Sequence, residues 1–380
     1  MLATPPLSLY VHLPWCVRKC PYCDFNSHET KELPEQQYVG RLLDDMAAEA
    51  NRAMGRRLHS IFFGGGTPSL FAAESINTII CAARERFGFE PNIEITLEAN
   101  PGTAEAARFA GYRRAGVNRL SLGAQSFSDN QLQLLGRIHS ASQAVDAFNL
   151  ARSVGFDNIN IDLMHGLPAQ SPLSAADDLE RALTLAPEHI SWYQLTIEPN
   201  TQFFSSPPVL PNDDLLCEIQ DRGEQILSCA GYAHYEISAY SRPGRESSHN
   251  LNYWTFGDYL GIGAGAHGKL TDSAKGIVSR VWKRRQPVEY MNVAKSTLAG
   301  QRNLTPTDLL GEYLMNRLRL HSGFSAEEFQ SATGLAEEQL SKRISPLVQR
   351  GLLEKSGSII RTSPLGRRFL NDVLAELIDE

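Results

Sequence analysis

The sequence has few cysteines, no long apolar run and no excess of positive charge. No stretch of its 380 residues approaches the run of about 18 apolar residues that a membrane-spanning helix requires. Met1–Pro6 has neither the basic nor the apolar region of a secretory signal, so we expect a cytoplasmic protein. The formal net charge of −7 argues against binding nucleic acid mainly through charge, and no nucleic-acid partner is expected.

Three of the six cysteines fall within eight residues, as Cys16, Cys20 and Cys23 in a C-x3-C-x2-C pattern. No fourth cysteine lies nearby to complete a tetrahedral structural zinc site. A cubane 4Fe-4S cluster held by three thiolates instead leaves one iron open to another ligand. The alternatives are an incomplete zinc knuckle and a redox pair. A reducing compartment would keep these cysteines available as thiolates.

The other cysteines, Cys81, Cys217 and Cys229, lie in segments with helical apolar patterns. Free cysteine behaves as a small apolar residue and is often buried. We therefore expect these three thiols to be buried and inert, and no disulfide is needed.

The chain is 42% hydrophobic and 21% charged, enough to bury a large core in two or three structural units. Strand-like runs alternate with amphipathic stretches about six times before residue 240, which predicts an α/β fold with a partial or complete barrel. The glycine-rich run Gly261–Ala266 lacks a following helix, so we interpret it as closely packed backbone rather than a dinucleotide loop. The predicted strands are Leu7–Leu13, Leu58–Phe63, Ile93–Leu97, Arg119–Leu122, Ile159–Leu163, Ile190–Leu195 and His234–Ser238, and the predicted helices Gln36–Met54, Ser75–Phe87, Ala104–Ala115 and Ser142–Val154.

Polar residues follow the predicted strands, where the chemistry of a barrel collects. Unpaired amides in the glycine loop Gly64–Pro68 could bind the carboxylate or amine of a ligand. Glu98 and Asp162 can accept hydrogen bonds from ribose hydroxyls or an ammonium group, and Gln125 and Arg137 can orient carboxylate or ribose oxygens. Each is also compatible with an ordinary turn, helix cap or surface position.

From Asn303 onward short helices precede a pair of strands, a pattern typical of a winged-helix module. The helix expected to contact DNA mixes acidic and basic residues, so we expect packing or partner binding. A winged-helix DNA regulator is the alternative. The predicted division is residues 1–240 for the barrel with the cluster loop, 241–302 for a connecting segment, and 303–380 for the winged-helix-like domain.

The cysteine pattern directly after an apolar strand resembles the radical S-adenosylmethionine (SAM) superfamily. With Tyr10–Cys16, Glu98–Pro101, Gln125–Ser126, Leu135–Arg137 and Asp162–Leu163, the chain resembles the branch that contains oxygen-independent coproporphyrinogen oxidases. The resemblance spans nearly the whole chain and implies a partial (β/α)6-type radical SAM barrel with a C-terminal helical winged-helix-like domain. It implies that Cys16, Cys20 and Cys23 bind the 4Fe-4S cluster. The implied SAM pocket is lined by Tyr10, Tyr22, Gly65, Gly66, Thr67, Glu98, Gln125, Arg137 and Asp162.

Two departures separate this sequence from the oxidases. Phe25 stands where they carry a further cysteine, and their segment before the first cluster cysteine is longer. In addition, His249–Trp254 resembles the H-N-x-x-Y-W signature of the HemW heme chaperones. Although an isolated histidine in a polar segment is generally solvated, this resemblance implies heme as a ligand, with His249 as an axial ligand to its iron.

The resemblance implies a heme chaperone that passes heme to acceptor hemoproteins, which the family suggests are respiratory. Peripheral contact with a membrane would follow if the acceptor is membrane-bound. The alternative is oxygen-independent coproporphyrinogen III oxidase, and whether the protein is an enzyme stays open. A competing heme ligand is Cys20, since a thiolate before a proline can bind heme iron, but heme there would compete with cluster assembly.

Overall fold

The computed structural model describes residues 2–102 and 106–378. Its strands are β1 (Leu7–Leu13), β2 (Trp15–Cys16), β3 (His28–Glu29), β4 (Leu58–Gly65), β5 (Phe89–Ala99), β6 (Arg119–Gln125), β7 (Ile159–His165), β8 (His189–Gln194), β9 (Ala233–Glu236), β10 (Ala239–Ser241), β11 (Asp258–Ile262), β12 (His267–Asp272), β13 (Ile277–Lys283), β14 (Leu298–Asn303), β15 (Phe324–Ser325), β16 (Leu353–Ser356) and β17 (Ile359–Thr362).

The helices alternate with these strands through most of the chain. They are α1 (Glu35–Glu49), α2 (Ala73–Phe87), α3 (Phe109–Ala115), α4 (Asp129–Leu134), α5 (Ala141–Ser153), α6 (Pro172–Thr184), α7 (Gln202–Ser205), α8 (Asp213–Cys229), α9 (Ser248–Trp254), α10 (Pro287–Met291), α11 (Pro306–Arg317), α12 (Ala326–Thr333), α13 (Glu337–Gln349), α14 (Pro364–Arg368) and α15 (Leu370–Ile378).

One large sheet organises the described part of the chain, with strand order β14-β13-β12-β11-β1-β4-β5-β6-β7-β8-β10-β9. The strands from β11 to β8 in this order run parallel, and antiparallel strands extend both ends. Within that part of the chain β14 and β9 do not pair, so the sheet is not a closed barrel. The predicted partial α/β barrel is confirmed.

The two faces of the parallel strands have different chemistry because side chains alternate along a strand. In β1, Leu9 and Val11 belong to the large apolar core between the sheet and its helices. Ser8 and Tyr10 point to the opposite face, where Ser8 Oγ lies 2.7 Å from Ser60 Oγ of β4. This second face is the polar interior of the partial barrel, and it carries the candidate site.

The predicted strands and helices of the barrel lie within about five residues of observed elements, whereas α4, α6 and α8 were not among the predicted helices. The helix predicted over Ala104–Ala115 is observed as Phe109–Ala115, and residues 103–105 lie outside the described part of the chain. The sheet also continues beyond residue 240, because β11 pairs in parallel with β1. Gly263, after β11, has a φ of +104°, and a Cβ there would lie 2.3 Å from the carbonyl oxygen of His12. Close packing of this glycine run is therefore confirmed.

The C-terminal region has the predicted order of helices followed by two paired strands. α11, α12 and α13 precede β16 and β17, and β15 pairs with the other edge of β17. These elements enclose a second apolar core, which also includes Phe256 and Val278 from the preceding segment. The two following helices, α14 and α15, were not predicted.

The expectation that the three cysteines outside the first loop are buried is wrong. Cys81, Cys217 and Cys229 are all exposed. They lie on amphipathic helices whose buried faces are formed by other residues, such as Ile80 and Ala83 in α2. An apolar neighbourhood in the sequence does not place a residue on the buried face of a helix, since neighbours point about 100° apart.

Across residues 2–102 and 106–378, helices of a length and apolarity sufficient to span a bilayer are absent.

Candidate functional site

The three clustered cysteines lie on a loop that is held at both ends. Cys16 ends β2, and β2 pairs in parallel with β3 beyond the loop. Within the loop, Asn26 Nδ2 donates to the carbonyl oxygen of Ala264, 2.9 Å away, which fixes the loop to the segment after β11. Cys16 is buried, whereas Cys20 and Cys23 are partly exposed. Protein contacts alone therefore give this loop a defined position.

Each of the three thiols has a protein hydrogen-bonding group beside its sulfur. The pairs are Thr67 Oγ1 donating to Cys16 Sγ at 3.4 Å, Arg137 Nη1 donating to Cys20 Sγ at 3.5 Å, and Ser27 Oγ with Cys23 Sγ at 3.7 Å. Donors of this kind favour the thiolate, the form that binds metal.

Burial acts against the thiolate at two of these positions. It raises the pKa of the Cys16 thiol and of the Cys23 thiol, and the negative charge of the neighbouring sulfurs raises both further. Hydrogen bonds from Thr67 and Ser27 lower these pKa values only in part. Three thiolates on this loop therefore need a positively charged partner, which metal ions supply.

The donor set fits a cluster better than a single ion. Within residues 2–102 and 106–378, no three His, Cys, Asp or Glu side chains converge closely enough to hold one metal ion. In a cubane each thiolate binds a different iron, so the sulfurs need not converge on one point. Three sulfur ligands, each with its own hydrogen-bonding group, match that requirement.

A line of hydrogen bonds connects two of the cysteines through the protein. Asn100 Nδ2 donates to Thr67 Oγ1 at 3.1 Å, and Thr67 in turn donates to Cys16. On the other side Arg137 Nη2 donates to Asn100 Oδ1 at 2.6 Å, while its Nη1 donates to Cys20. Asn100 thus sets the positions of both donors.

The glycine loop after β4 lies directly against the cysteine loop. A Cβ on Gly66 would lie 2.6 Å from the carbonyl oxygen of Trp15, and one on Gly65 would lie 2.6 Å from the ring of His12. Gly65 also has a φ of +120°, which side-chain-bearing residues rarely adopt. Both glycines are needed for this close approach.

The expectation that this loop presents unpaired amides is wrong for its central residues. The amides donate within the protein, from Gly65 to Glu98 Oε2 at 3.3 Å, from Gly66 to the Leu13 carbonyl at 2.8 Å, and from Thr67 to the Trp15 carbonyl at 2.8 Å. The loop therefore positions β1, Glu98 and the cysteine loop relative to one another.

Tyr10, Glu98 and Asp162 come from three strands and meet on the polar inner face. Burial raises the pKa of Tyr10, and the charge of Glu98 raises it further. Burial likewise raises the pKa of Glu98, and the charge of Asp162 adds to this effect. Asp162 accepts hydrogen bonds from Ser121 Oγ at 2.9 Å and Asn160 Nδ2 at 2.8 Å. The partly buried Asp162 carboxylate keeps acceptor positions that suit ligand hydroxyl or ammonium donors, and Glu98 offers the same positions when it is ionised.

Gln125 and Arg137 complete the same side of the site. Gln125 lies at an irregularity where β6 pairs with β7 and has a φ of +67°, so its side chain leaves the regular strand direction. Its Oε1 accepts a 2.6 Å hydrogen bond from Tyr193. Tyr22, from the cysteine loop, lies near Arg137. Burial raises the pKa of Tyr22, and the positive charge of Arg137 lowers it in part. The structure thus brings the predicted SAM-lining residues together around the cysteine loop.

His249 lies in α9, not in a solvated loop, and only 1% of its surface is exposed. Its ring stacks on Phe62 with centroids 4.9 Å apart, and its Nδ1 lies 2.9 Å from Ser60 Oγ. Burial, followed by the nearby His59, lowers the pKa of His249 to about 3. The ring is therefore neutral, the form in which imidazole binds metal. Its Nε2 is buried without a hydrogen-bond partner in the described structure.

Beside α9 lies a cavity of about 180 Å³ lined by aromatic and cationic side chains. Tyr253 and Trp254 of the same helix form part of its wall, together with Phe256. Lys269 and Arg280 contribute positive charge there. The H-N-x-x-Y-W helix therefore has His249 toward the barrel interior and an aromatic cavity beside its C-terminal end.

Two family models match this chain, the Radical SAM superfamily over residues 10–182 and the HemN C-terminal domain over residues 304–369. The heme chaperone HemW of Haemophilus influenzae is 50% identical to it, covering 99% of each chain. HemW of Escherichia coli is 48% identical, covering all of both chains. The chain belongs to the HemW family.

A solved structure supports the fold of this HemW family member over its full length. Coproporphyrinogen III oxidase (HemN) of Escherichia coli, a radical SAM enzyme, is 25% identical and matches with a TM-score of 0.83 over 98% of this chain and 90% of that one. Membership of the radical SAM superfamily implies a 4Fe-4S cluster and SAM. The family predicted from the sequence motifs is confirmed.

Two residues of this HemW site were not singled out from the sequence. Asn100 was quoted only within the Glu98–Pro101 motif, although it bonds to both Thr67 and Arg137. Tyr193 donates to Gln125 from near the C-terminal end of β8. Tyr193 could have been found, because a polar ring at an inward-facing position of a parallel strand departs from the apolar pattern.

We expect Glu98→Gln to make the stability of the cluster-free protein less dependent on pH. Burial, followed by the charge of Asp162, raises the pKa of Glu98 from its ordinary 4.5 to about 8. Between these values the folded protein keeps a proton that the unfolded chain has released, so the free energy of unfolding falls as pH rises. One such proton contributes a slope of about 1.4 kcal/mol per pH unit, which urea unfolding at about pH 6 and pH 7 measures.

The matched control for this experiment is Glu90→Gln, an exposed position on the same strand. This variant removes an exposed carboxylate from β5 and keeps Glu98. The slope of its free energy of unfolding against pH should therefore equal that of the native protein. An unchanged slope in Glu98→Gln would show that Glu98 is already ionised at pH 6.

Proposed function

We propose that this protein is a heme chaperone that binds heme together with a SAM-bearing 4Fe-4S cluster and transfers the heme to acceptor hemoproteins. The observation that carries the proposal is its full-length similarity to named heme chaperones. The presence of His249 within the H-N-x-x-Y-W sequence of α9 agrees with it.

In this proposal Cys16, Cys20 and Cys23 hold the cluster, and the inner face of the sheet holds SAM. The bound cluster and SAM would supply one-electron chemistry at the open iron. Thr67 and Arg137 orient two of the cysteine sulfurs through their hydrogen bonds. The residues proposed to line the SAM pocket are Tyr10, Tyr22, Gly65, Gly66, Thr67, Glu98, Gln125, Arg137 and Asp162.

Heme is the cargo, and we propose His249 as a ligand to its iron. The neutral ring and the unpartnered Nε2 suit this role. Because the side chain is almost fully buried, α9 has to shift before iron reaches Nε2. The rings of Tyr253 and Trp254 on the same helix could pack against a macrocycle after this shift, since the cavity of about 180 Å³ that they line is too small to enclose one.

We expect His249→Gln to lose saturable heme binding at the specific site. Glutamine can keep a hydrogen bond to Ser60 but has no imidazole to bind iron. The measurement is anaerobic titration of heme into cluster-loaded protein, followed by the Soret absorbance. Cluster content has to be matched between samples, because a free Cys20 beside Pro21 could bind heme in cluster-free protein.

His165→Gln is the matched control. His165 is 2% exposed, carries an unpartnered Nδ1 and packs against Trp192 at the end of β7, away from α9. This control should bind heme like the native protein. If His249→Gln binds heme equally well, the ligand lies elsewhere, and if the native protein binds no heme, the chaperone proposal fails.

The alternative function is oxygen-independent coproporphyrinogen III oxidase, favoured by the similarity to HemN over nearly the full chain. Phe25 weighs against it, because it replaces the further cysteine of the oxidases and its side chain is 65% exposed. Anaerobic turnover of coproporphyrinogen III by loaded protein would restore this alternative.

We further propose a cytoplasmic location, respiratory hemoproteins as acceptors, and peripheral membrane contact where the acceptor is membrane-bound. No nucleic-acid partner is proposed, since the net charge is −7 and α13 begins with two glutamates. The proposed domains remain residues 1–240, 241–302 and 303–380.

A further inference from the structure

A line of hydrogen bonds runs from Asp162 to Ser247, the N-cap of α9. Asn160 Nδ2 donates to Asp162 Oδ1 at 2.8 Å, and Asn160 Oδ1 lies 2.6 Å from His189 Nδ1. The other ring nitrogen, His189 Nε2, lies 2.8 Å from the Tyr235 hydroxyl. That hydroxyl accepts a hydrogen bond from the backbone amide of Ser247 at 3.3 Å. The line crosses the interior of the partial barrel.

The direction of every hydrogen bond in this line follows from its two ends. The Ser247 amide can only donate, so the Tyr235 hydroxyl is free to donate its own proton to His189 Nε2. His189 then carries its proton on Nδ1 and donates to the amide oxygen of Asn160. The Asn160 amide nitrogen donates to the carboxylate of Asp162. All donors therefore point toward the Asp162 carboxylate, an arrangement in which each bond polarises the next.

The centre of the line is buried and fully hydrogen-bonded, whereas Asp162 and Tyr235 are partly exposed. His189 is 1% exposed and Asn160 is 3% exposed. The second hydrogen of the Asn160 amide goes to Ser121 Oγ at 2.7 Å, and its oxygen also accepts from Ser191 Oγ at 3.1 Å. Burial lowers the pKa of His189, which agrees with the neutral ring that the line requires.

The two ends of the line have different proposed ligands. Asp162 lies in the proposed SAM pocket. Ser247 is the N-cap of α9, and its side chain accepts from the Asn250 amide in the first turn. His249, two residues further on, has to leave its buried position before iron can reach Nε2. Heme ligation by His249 would therefore require a second position of α9, and the Tyr235–Ser247 hydrogen bond stabilises the observed, buried one.

We infer that Asn160, His189 and Tyr235 are positioning residues that couple SAM binding at Asp162 to heme binding at α9. Hydroxyl or ammonium donors of SAM would share the Asp162 carboxylate with Asn160. Sharing the carboxylate would weaken the polarisation of the hydrogen bonds along the line. The last of these, from the Ser247 amide to the Tyr235 hydroxyl, would then stabilise the N-terminus of α9 less. SAM should therefore favour the position of α9 in which His249 is accessible, and heme should bind more tightly. The inference rests on the proposed function.

The test is the dissociation constant of heme for cluster-loaded protein, measured anaerobically with and without saturating SAM. We expect SAM to lower it by about fivefold or more, as is usual for coupled sites. Because coupling is reciprocal, heme should lower the dissociation constant of SAM by the same factor. This reciprocal measurement on the native protein tests the inference without any substitution.

Tyr235→Phe removes the hydroxyl that links His189 to Ser247. We expect this variant to bind both heme and SAM, with a heme dissociation constant that SAM no longer changes. Tyr232→Phe is the matched control, since Tyr232 is a buried tyrosine whose hydroxyl donates to the Pro187 carbonyl, outside the line. In this control, SAM should change the heme dissociation constant by the same factor as in the native protein.

The outcomes separate this inference from the proposed function. If the native protein binds heme and SAM but neither affects the other, the coupling is refuted and the chaperone proposal stands. If SAM changes the heme dissociation constant equally in the native protein and in Tyr235→Phe, the coupling does not pass through Tyr235, and the inference is refuted. If the native protein binds no heme, both proposals fail.

Discussion

Cys20→Ala is expected to abolish loading of the iron-sulfur cluster while leaving the fold intact. A cubane held by two thiolates loses one of its three protein bonds, and no other cysteine lies in the loop to replace it. The measurement is iron and acid-labile sulfide content after anaerobic reconstitution, together with the visible absorbance of the cluster. Both should fall to background.

The loop itself should survive this substitution because the protein holds it without metal. The pairing of β2 with β3 and the Asn26 hydrogen bond to Ala264 do not involve Cys20. Its sulfur is partly exposed and is hydrogen-bonded by the side chains of Arg137 and Tyr22. We therefore expect the free energy of unfolding of the cluster-free protein to change by no more than about 1 kcal/mol.

Cys81→Ala is the matched control, since Cys81 is a free, exposed cysteine on α2. It should load a full cluster. Full loading of Cys20→Ala would refute the cluster assignment. Loss of loading in both variants would instead indicate damage during reconstitution.

Much of the fold could be predicted because the parallel strands are apolar runs between amphipathic helices. β1 is observed over Leu7–Leu13, as predicted, since its alternate residues face the main core. Polar residues that follow such strands necessarily gather at one end of a parallel sheet. The sequence therefore placed Glu98 and Gln125, at the C-terminal ends of β5 and β6, on one side of the molecule without any knowledge of their contacts, whereas Asp162 lies farther back, within β7.

The position of His249 could not be predicted, because it depends on contacts distant in the sequence. Its environment comes from Ser60 and Phe62 of β4 and from the Glu94 carboxylate, which accepts from its backbone amide at 3.1 Å. A helix of seven residues with few apolar positions gives no sign that its histidine enters a barrel. The Asp162–Ser247 line is equally hidden, since it joins residues from four separate segments.

Lys283→Met is expected to destabilise the protein by about 3 to 5 kcal/mol, because it leaves two buried carboxylates without their cation. Lys283 is 3% exposed, and its Nζ lies 2.6 Å from both Asp45 Oδ1 and Glu49 Oε1 of α1. Methionine has a similar length and fills the space, so the change removes mainly the charge. Chemical denaturation of cluster-free protein measures the effect.

The network around Lys283 also supports the cysteine loop. Asp45 accepts a 2.7 Å hydrogen bond from the Tyr290 hydroxyl, and Tyr290 in turn accepts from the Gly263 amide at 3.0 Å. The next residue, Ala264, receives the hydrogen bond of Asn26. We therefore expect Lys283→Met to slow cluster reconstitution as well, through a less ordered loop.

Two further variants separate the buried charge from general damage to the protein. Lys275→Met removes an ammonium group from an exposed pair with Asp272, 2.9 Å apart, and should cause no measurable change in stability. Combining Lys283→Met with Asp45→Asn and Glu49→Gln removes the unpaired charges and should recover part of the lost stability, because neutral amides are less costly to bury than carboxylates. If the triple variant is no more stable than Lys283→Met, unpaired charge is not the cause of the loss. The contact that matters would then be the packing of the lysine chain between α1 and β13.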